Sequence, residues 1–168
     1  MEIIDNNLIN DKINIIIENN SFKYNLKKIE ELEKNREFCR HDMQHFLDVA
    51  RLMYIMNLEN TLNIPKHMIY ATALLHDIGR GKQYEKGTPH HIASVEIAKD
   101  ILEQCEYNTK ETDEILDAIG NHGNHNEKLN SLSHVLYVND KLSRNCSHCT
   151  AINGCKWPME KKNFKIKY

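Results

Sequence analysis

An apolar run that ends in a histidine and an aspartate lies near the middle of the chain: Leu74-Leu75-His76-Asp77-Ile78-Gly79-Arg80. The leucines before the pair predict that the helix carrying His76 and Asp77 is buried. A buried carboxylate without a partner is costly in free energy, so both side chains need partners. A metal ion would satisfy both of them. A single pair of this kind is weak support for a metal site, but other histidines and a second aspartate strengthen it.

Length and composition predict one helical domain. The chain has 168 residues, of which 40% are hydrophobic and 27% are charged, as in an ordinary globular protein with a hydrophobic core. Its three prolines and six glycines are few, and no segment alternates cleanly between apolar and polar residues. We therefore expect an all-α fold, a bundle of about six or seven helices, in a single domain over residues 1–168.

Net charge and the N-terminal residues argue against several classes of protein. A formal charge of −2 provides no bulk basic field for nucleic acid. No apolar run approaches the roughly 20 residues of a membrane helix, and residues 1–5 lack the basic and apolar regions of a signal peptide. We expect no membrane partner and a cytoplasmic location, in which the five cysteines are thiols or metal ligands.

Apolar residues at steps of three and four predict where the helices lie. A short first helix is predicted within residues 1–20, and further helices are predicted over residues 21–32, 37–58, 66–77, 90–105, 109–123 and 131–142. Ser21, Thr109, and either Ser131 or Ser133 are the predicted caps. Residues 79–90 and 123–132 are predicted loops, and the second contains His125. Within the helix over 37–58, His41 and His45 are four residues apart and are expected on one face.

Successive helical segments each carry a histidine or an aspartate near an end or on an apolar face. These residues are His45, His76, Asp77, His90 or His91, His122, and Asp140. Asp140 follows the apolar residues 135–138, as Asp77 follows two leucines, which is difficult to reconcile with solvated positions. The alternative is that the aspartates are exposed turn residues and the histidines are hydrogen-bonded core residues. Taken together, the set favours a metal site.

In this order, the motifs resemble the HD-domain superfamily of metal-dependent phosphohydrolases. The similar segments are residues 45–50, 74–79 and 138–143, and residues 90–98 and 118–122 resemble the segments that supply two further histidines in members with two metals. The resemblance covers about residues 38–145 and departs at Asn139, where the family usually has alanine. Residues 146–168 would then be a cysteine-containing C-terminal extension of the HD core.

The resemblance implies a set of metal ligands, which are His45, His76, Asp77, His90, His122 and Asp140. His90 is preferred to His91 because it has the family spacing to Ser94 and Glu96, and His41 would lie behind the ligands or on the phosphate side. Nitrogen and oxygen ligands suit one or two divalent transition-metal ions such as iron or manganese. Asp77 could bridge two ions, and a bridging water would be the nucleophile.

Basic residues near the two aspartates could bind the phosphate. They are Arg80, Lys82, Lys141 and Arg144. Arginine forms bidentate contacts with phosphate, and lysine acts as a point charge. Arg80 and Lys141 lie within three residues of a ligand, so we assign both, with Asp77, to the catalytic centre; the alternative for each is a solvated surface cation. Trp157 and Tyr84 could stack on a base or serve only in packing.

The predicted function is hydrolysis of a small phosphorylated compound, a nucleotide above all, by a metal-activated water. Two alternatives stay open. Some members of the superfamily with two irons carry out oxidative cleavage, so the chain could be a di-iron oxygenase. It could also be a non-catalytic HD domain that senses a nucleotide or binds a partner. Missing ligands would favour that last alternative, and here none is missing.

The cysteines raise a separate possibility of a structural zinc site. Cys146, Cys149 and Cys155 have the spacing Cys-x2-Cys-x5-Cys, and Cys39 or His148 could be the fourth ligand. Cys39 precedes His45 by six residues and Cys146 follows Asp140 by six. If those two helices are antiparallel, both cysteines lie at the same end, roughly 9 Å beyond the ligands. Four unrelated thiols are an equally good interpretation. Cys105 is expected to pack on its own helix.

Overall fold

Helices form all of the regular secondary structure in the residues that the computed structural model describes, 7–123 and 128–166. The α-helices are α1 (Asn7–Glu18), α2 (Asn20–Leu32), α3 (Met43–Glu59), α4 (Lys66–Leu75), α5 (Arg80–Lys86), α6 (His90–Gln104), α7 (Thr109–Asn121) and α8 (Leu132–Leu142). Three short 3-10 turns follow, at Cys146–His148, Ile152–Gly154 and Met159–Lys161. The predicted all-α class is confirmed. His125, predicted to lie in a loop, is outside the described residues.

Helix α4 lies at the centre of the bundle. It contacts α1, α3, α7 and α8, and almost every residue from Met68 to Leu75 is buried. Burying one leucine or isoleucine side chain contributes about 1.5–3 kcal/mol, so this apolar helix fixes the arrangement of its neighbours. The turn that follows α4 therefore places His76 and Asp77 in the interior, where both are buried.

Helix α3 begins six residues later than predicted. The Asp42 carboxylate accepts a hydrogen bond from the backbone N–H of His45 at 3.0 Å and caps the helix at Met43. The prediction that His41 shares a helix face with His45 is therefore wrong. His41 precedes the helix, but it is buried, and its ring centroid lies 5.6 Å from that of His45.

Asparagine side chains, and not the predicted serine and threonine, cap α2 and α7. The Asn19 side chain accepts hydrogen bonds from the first turn of α2, so Ser21 lies within the helix. Asn108 caps α7 in a reciprocal capping box, and Thr109 is the first helical residue. Ser131, one of the two predicted caps of α8, does accept a hydrogen bond from the helix. Asparagine and serine cap for the same reason, since each offers a short side-chain acceptor.

The segment predicted as a loop at 79–90 contains helix α5. Its sequence, from Arg80 to Lys86, consists mainly of residues with good helix propensity, and Gly87 ends it in the left-handed conformation at φ 72°. An ion pair of 2.6 Å between Lys28 and Glu85 fastens α5 to α2. The loop prediction was wrong for these residues because the glycines on both sides look like loop residues in sequence.

The C-terminal segment, residues 143–166, turns back over the end of α8. The Asn163 side-chain amide donates to the backbone carbonyls of Lys141 and Arg144, at 2.6 and 3.1 Å. Arg144 in turn donates to the backbone carbonyl of Arg40 at 2.8 Å, which links the segment to the residues that precede α3. Over the described parts of the chain, none of the helices combines the length and the apolar character that crossing a membrane requires.

Candidate metal centre

Two groups of possible ligands converge where α4 ends. One consists of His45, His76, Asp77 and Asp140, and the other consists of Asp77, His90 and His122. In each group the ligand atoms lie within 4.8 Å of one another. The structure thus brings together all six side chains that the sequence suggested. Asp77 belongs to both groups, as expected of a carboxylate that could bridge two ions.

Gly79 sets the distance between the turn after α4 and helix α6, which begins with His90. The N–H of Gly79 donates to Ser94 Oγ at 2.9 Å. A Cβ at this position would lie 2.3 Å from the backbone nitrogen of Ser94 and 2.5 Å from the carbonyl carbon of Ala93. A glycine is needed here because of this close approach, which brings Asp77 within reach of His90.

Hydrogen bonds fix the orientation of three histidine rings. The Nδ1 atoms of His76 and His122 lie 2.7 and 2.6 Å from the backbone carbonyl three residues earlier. A carbonyl oxygen can only accept, so Nδ1 carries a proton in both rings and Nε2 points into the centre. His45 Nδ1 lies 3.3 Å from Ser143 Oγ. Histidines that bind metal are held in this way in many proteins.

Several polar atoms of the centre face one another, and three of them have no hydrogen bond. Within the described residues, His76 Nε2, Asp77 Oδ1 and Asp140 Oδ1 are buried and have no hydrogen-bond partner. His90 Nε2 and His122 Nε2 are 3.2 Å apart and lie 3.5 and 3.6 Å from Asp77 Oδ1. Each such buried polar atom costs about 1–3 kcal/mol. A divalent cation would satisfy all of them, so the residues fit a metal with nitrogen and oxygen ligands.

Electrostatic interactions keep both carboxylates of the centre ionised. Burial alone would raise the pKa of Asp77, but the charges of His76 and Arg80 hold it well below its ordinary value. The pKa of Asp140 is also well below its ordinary value, because contacts with His45 and His76 outweigh burial. Burial would lower the pKa of His76, but Asp77 and Asp140 together raise it to about 9. Burial lowers the pKa of His45 and of His90 to about 4.

Two arginines lie against this acidic centre. Arg80 Nε is 2.9 Å from Asp77 Oδ2, and Arg144 Nη2 is 3.0 Å from His45 Nε2. Lys141, the other predicted cation, has its ammonium 3.9 Å from Asp140 Oδ2 but lies over the ring of a neighbouring tyrosine. Of the cations suggested by sequence, Arg80 and Arg144 face the adjacent cavity and Lys141 does not.

A cavity of about 700 Å³ adjoins the centre, a size that suits a small molecule. His41, Arg80, Asp140 and Arg144 line it on the side of the centre. The rest of its lining comes from residues 36–39 and from the C-terminal segment, including Trp157. Trp157 is therefore placed beside the cavity, as base stacking would require.

Glu33 is a buried residue of the site that the sequence did not reveal. Its carboxylate accepts the backbone N–H of His41 at 2.6 Å and lies 2.6 Å from His41 Nδ1. Burial would raise the pKa of Glu33, but its hydrogen bonds with His41 lower it to about 2. Tyr84 also donates its hydroxyl to Glu33. His41 Nε2 faces Asp77 Oδ2 at 3.7 Å, so Glu33, with Tyr84 bonded to it, orients the His41 ring toward the centre.

Comparisons with known proteins identify a similar protein and a matching family model. An uncharacterized protein of Clostridium beijerinckii is 46% identical over 158 residues, which are 94% of this chain and 99% of that protein. No solved structure shows significant similarity. A family model described as HD domain matches residues 42–145, a span that includes all six candidate ligands. With its His/Asp centre inside this match, the chain belongs to the HD-domain family.

Proposed function

We propose that this protein is a metal-dependent phosphohydrolase that acts on a nucleotide or another small phosphorylated compound. One observation carries the proposal: six nitrogen and oxygen ligand side chains converge in two groups that share Asp77, beside a cavity lined by arginines. The proposal extends the activity of the wider superfamily to this chain, with the arginine-lined cavity as the site of the phosphate.

The two groups of side chains divide the ligands between two ions. His45, His76, Asp77 and Asp140 would hold the first, and Asp77, His90 and His122 the second. Oxygen and imidazole ligands without thiolate suit iron or manganese. The bound ions would supply a water of lowered pKa as the nucleophile and would neutralise phosphate oxygens.

The side chains of the cavity would bind and orient the phosphate. Arg80 and Arg144 point planar, permanently charged guanidinium groups toward it, and such groups match two phosphate oxygens at once. Lys141, which the sequence suggested for this role, has its ammonium 3.9 Å from Asp140 Oδ2 but does not line the cavity. Glu33 acts as a positioning residue because it holds His41 with Nε2 toward Asp77 and the cavity.

A phosphate-release screen tests the proposal. The purified chain, loaded separately with Mn²⁺ or Fe²⁺, would be assayed with nucleoside mono-, di- and triphosphates and with small phosphate esters. Asp77→Ala should lower turnover by more than about 100-fold and remove the metal bound at the His/Asp centre, since loss of even an outer residue of a metal site costs 10–100-fold. Asp100→Ala, at an exposed aspartate of α6, is the matched control.

Three results would contradict the proposal. If Asp77→Ala protein hydrolysed phosphate esters as fast as wild type, the centre would not be catalytic. Oxygen consumption by the iron-loaded protein without phosphate release would identify an oxygenase. Tight nucleotide binding with neither reaction would identify a sensing module, an interpretation to which the complete set of ligands gives no support.

A further inference from the structure

We propose that Cys39, Cys146, Cys149 and Cys155 bind one zinc ion, which fastens the C-terminal segment to the residues before α3 and completes the wall of the cavity. This site is separate from the His/Asp centre, because its ligands are four thiols and none of the six side chains described above takes part. It is assembled from the two stretches of chain that flank the matched HD region, residues 36–41 and 146–166.

The four thiols are gathered at one place in the molecule. All four line the cavity, and none forms a disulfide. Cys39 is exposed. Partial burial raises its pKa, the charge of Arg144 lowers it, and the other three thiols each raise it, so all three lie within electrostatic range of Cys39. Cys105, by contrast, is wholly buried in the helical core. Four of the five cysteines thus share one site, although they come from distant parts of the sequence.

Short turns present the three C-terminal cysteines. The N–H of Cys149 donates to the carbonyl of Cys146 at 3.3 Å across the first 3-10 turn, and this forms a compact Cys-x2-Cys unit. Cys155 directly follows the second turn. The adjacent Gly154 packs on the Phe38 ring, to which a Cβ would come within 3.7 Å. Since Phe38 precedes Cys39, this contact brings the third C-terminal cysteine toward the fourth ligand.

The C-terminal segment has almost no hydrophobic core of its own. Between residues 145 and 166, only Cys146 and Asn163 are buried, and large apolar side chains such as Met159 and Ile166 are exposed, at 66% and 89%. A segment of this kind cannot bury enough apolar surface to hold one conformation, and small structures of this type usually depend on a metal or on disulfides. A zinc ion would supply the missing constraint.

The ligand set favours zinc, with Cys39 as the fourth ligand. Four thiolates suit tetrahedral zinc, and a Cys-x2-Cys pair is the usual half of such a site. The Cys-x2-Cys-x5-Cys spacing matches neither common ferredoxin pattern. His148 is exposed and its Nδ1 bonds to Ser147 Oγ at 2.9 Å. In the described part of the chain, no three of these four sulfur atoms lie within 4.8 Å of one another, as the atoms of each His/Asp group do. Bound zinc would therefore have to draw the sulfur atoms closer together.

Zinc content tests the site without reference to catalysis. Wild-type protein, Cys39→Ser and Cys149→Ser would be purified without a chelator or a histidine tag, and zinc per chain would be measured by plasma mass spectrometry. We expect one zinc in wild type that persists in Asp77→Ala and is lost in both serine variants. The controls Cys105→Ala and His148→Ala should keep it.

Cobalt substitution of the intact wild-type chain tests the same site if the serine variants fail to fold. Tetrahedral thiolate ligation predicts an intense sulfur-to-cobalt charge-transfer band, absent when cobalt binds only nitrogen and oxygen ligands. Wild-type zinc content in both serine variants, a spectrum without that band, or an iron–sulfur chromophore with acid-labile sulfide would each overturn the proposal.

A predicted effect of zinc on substrate binding in the cavity rests on the proposed function. If zinc completes the wall that carries Trp157, its loss should raise KM for the phosphate substrate several-fold more than it lowers kcat. Limited proteolysis should also cut within residues 146–166 faster in Cys149→Ser than in wild type. If the protein binds zinc here but has no phosphatase activity, the zinc site is still supported, and only the prediction about KM fails.

Discussion

At the scale of single residues, His90 distinguishes a centre with one ion from a centre with two. Of the two groups of ligands, it belongs only to the one formed with Asp77 and His122. Its pKa is lowered to about 4 by burial, so it is a neutral ligand near pH 7. The first group does not depend on it, because its four side chains come from α3, α8 and the turn after α4.

We therefore predict that His90→Ala lowers the number of ions bound at the His/Asp centre from two to one. The neighbouring His91→Ala is the matched control, because His91 lies in neither group and should leave both ions bound. The iron or manganese content per chain after dialysis, measured by plasma mass spectrometry, tests this prediction. Loss of both ions, or of none, would show that the groups do not act as separate sites.

Glu33 supports a prediction about stability and pH. Glu33→Gln keeps the size of the side chain but removes the charge that holds His41, at a cost of about 2 kcal/mol for a buried charged hydrogen bond. The folded pKa of about 2 lies below the ordinary value of 4.5, so the stabilisation is complete above pH 4.5 and disappears as the pH falls toward 2.

Urea unfolding of wild type and Glu33→Gln at pH 7 and at pH 3 measures this effect. The difference in unfolding free energy between the two proteins should shrink at the lower pH. Glu31→Gln, at an exposed glutamate in the last turn of α2, should be close to wild type at both. A constant difference would mean that Glu33 acts through packing alone.

These residues also show what sequence reasoning can reach. The six candidate ligands were predictable because each lies at an end of an apolar helical run, and their order matches that of a known family. Glu33 was hidden because its neighbours Glu30 and Glu31 are exposed, and a run of charges is typical of a solvated helix face. Its partner His41 comes from another segment, and one chain carries no sign of that contact.

At the scale of elements, the turn between α4 and α5 must stay close to α6. In Gly79→Ala the new Cβ would meet backbone atoms of Ser94 and Ala93 at 2.3 and 2.5 Å, and backbone cannot move aside cheaply. We expect a loss of about 1–3 kcal/mol in stability and weaker binding of the ion held by His90, which α6 carries.

Gly81→Ala is the matched control for that substitution. Its Cβ would meet only the flexible Lys28 side chain, at 3.4 Å or more, and alanine favours the helical conformation of α5. Thermal unfolding and metal titration of the two variants compare them directly. Equal stability and metal affinity would show that α5 and α6 separate without affecting the centre.

Helix α5 is the element that could not be predicted from the sequence. A stretch of seven helical residues is too short to be stable alone, and its flanking glycines are typical of loops. It is helical because of tertiary contacts, namely the ion pair of Lys28 with Glu85 and the packing of Gly79 on α6. The longer helices were predictable because their apolar faces repeat at the helical period.

At the scale of the whole molecule, the centre depends on segments that are far apart in sequence. Residues from α3, the turn after α4, α6, the end of α7 and α8 all contribute candidate ligands. Metal that binds only the folded chain must therefore stabilise the entire bundle, by about 4 kcal/mol at a free metal concentration 1,000 times the Kd. Removal of metal by a chelator should lower the Tm accordingly.

This stabilisation should also depend on pH, because protons compete with metal for His76. The pKa of His76 is about 9, so below that pH the ring must release a proton when a metal binds its Nε2. Each proton released weakens apparent binding about tenfold per unit fall in pH, equivalent to about 1.4 kcal/mol. The rise in Tm at one fixed free Mn²⁺ concentration should therefore be larger at pH 8 than at pH 6. Asp77→Ala should show no rise at either pH, and an equal rise in wild type at both would mean that His76 binds metal without losing a proton.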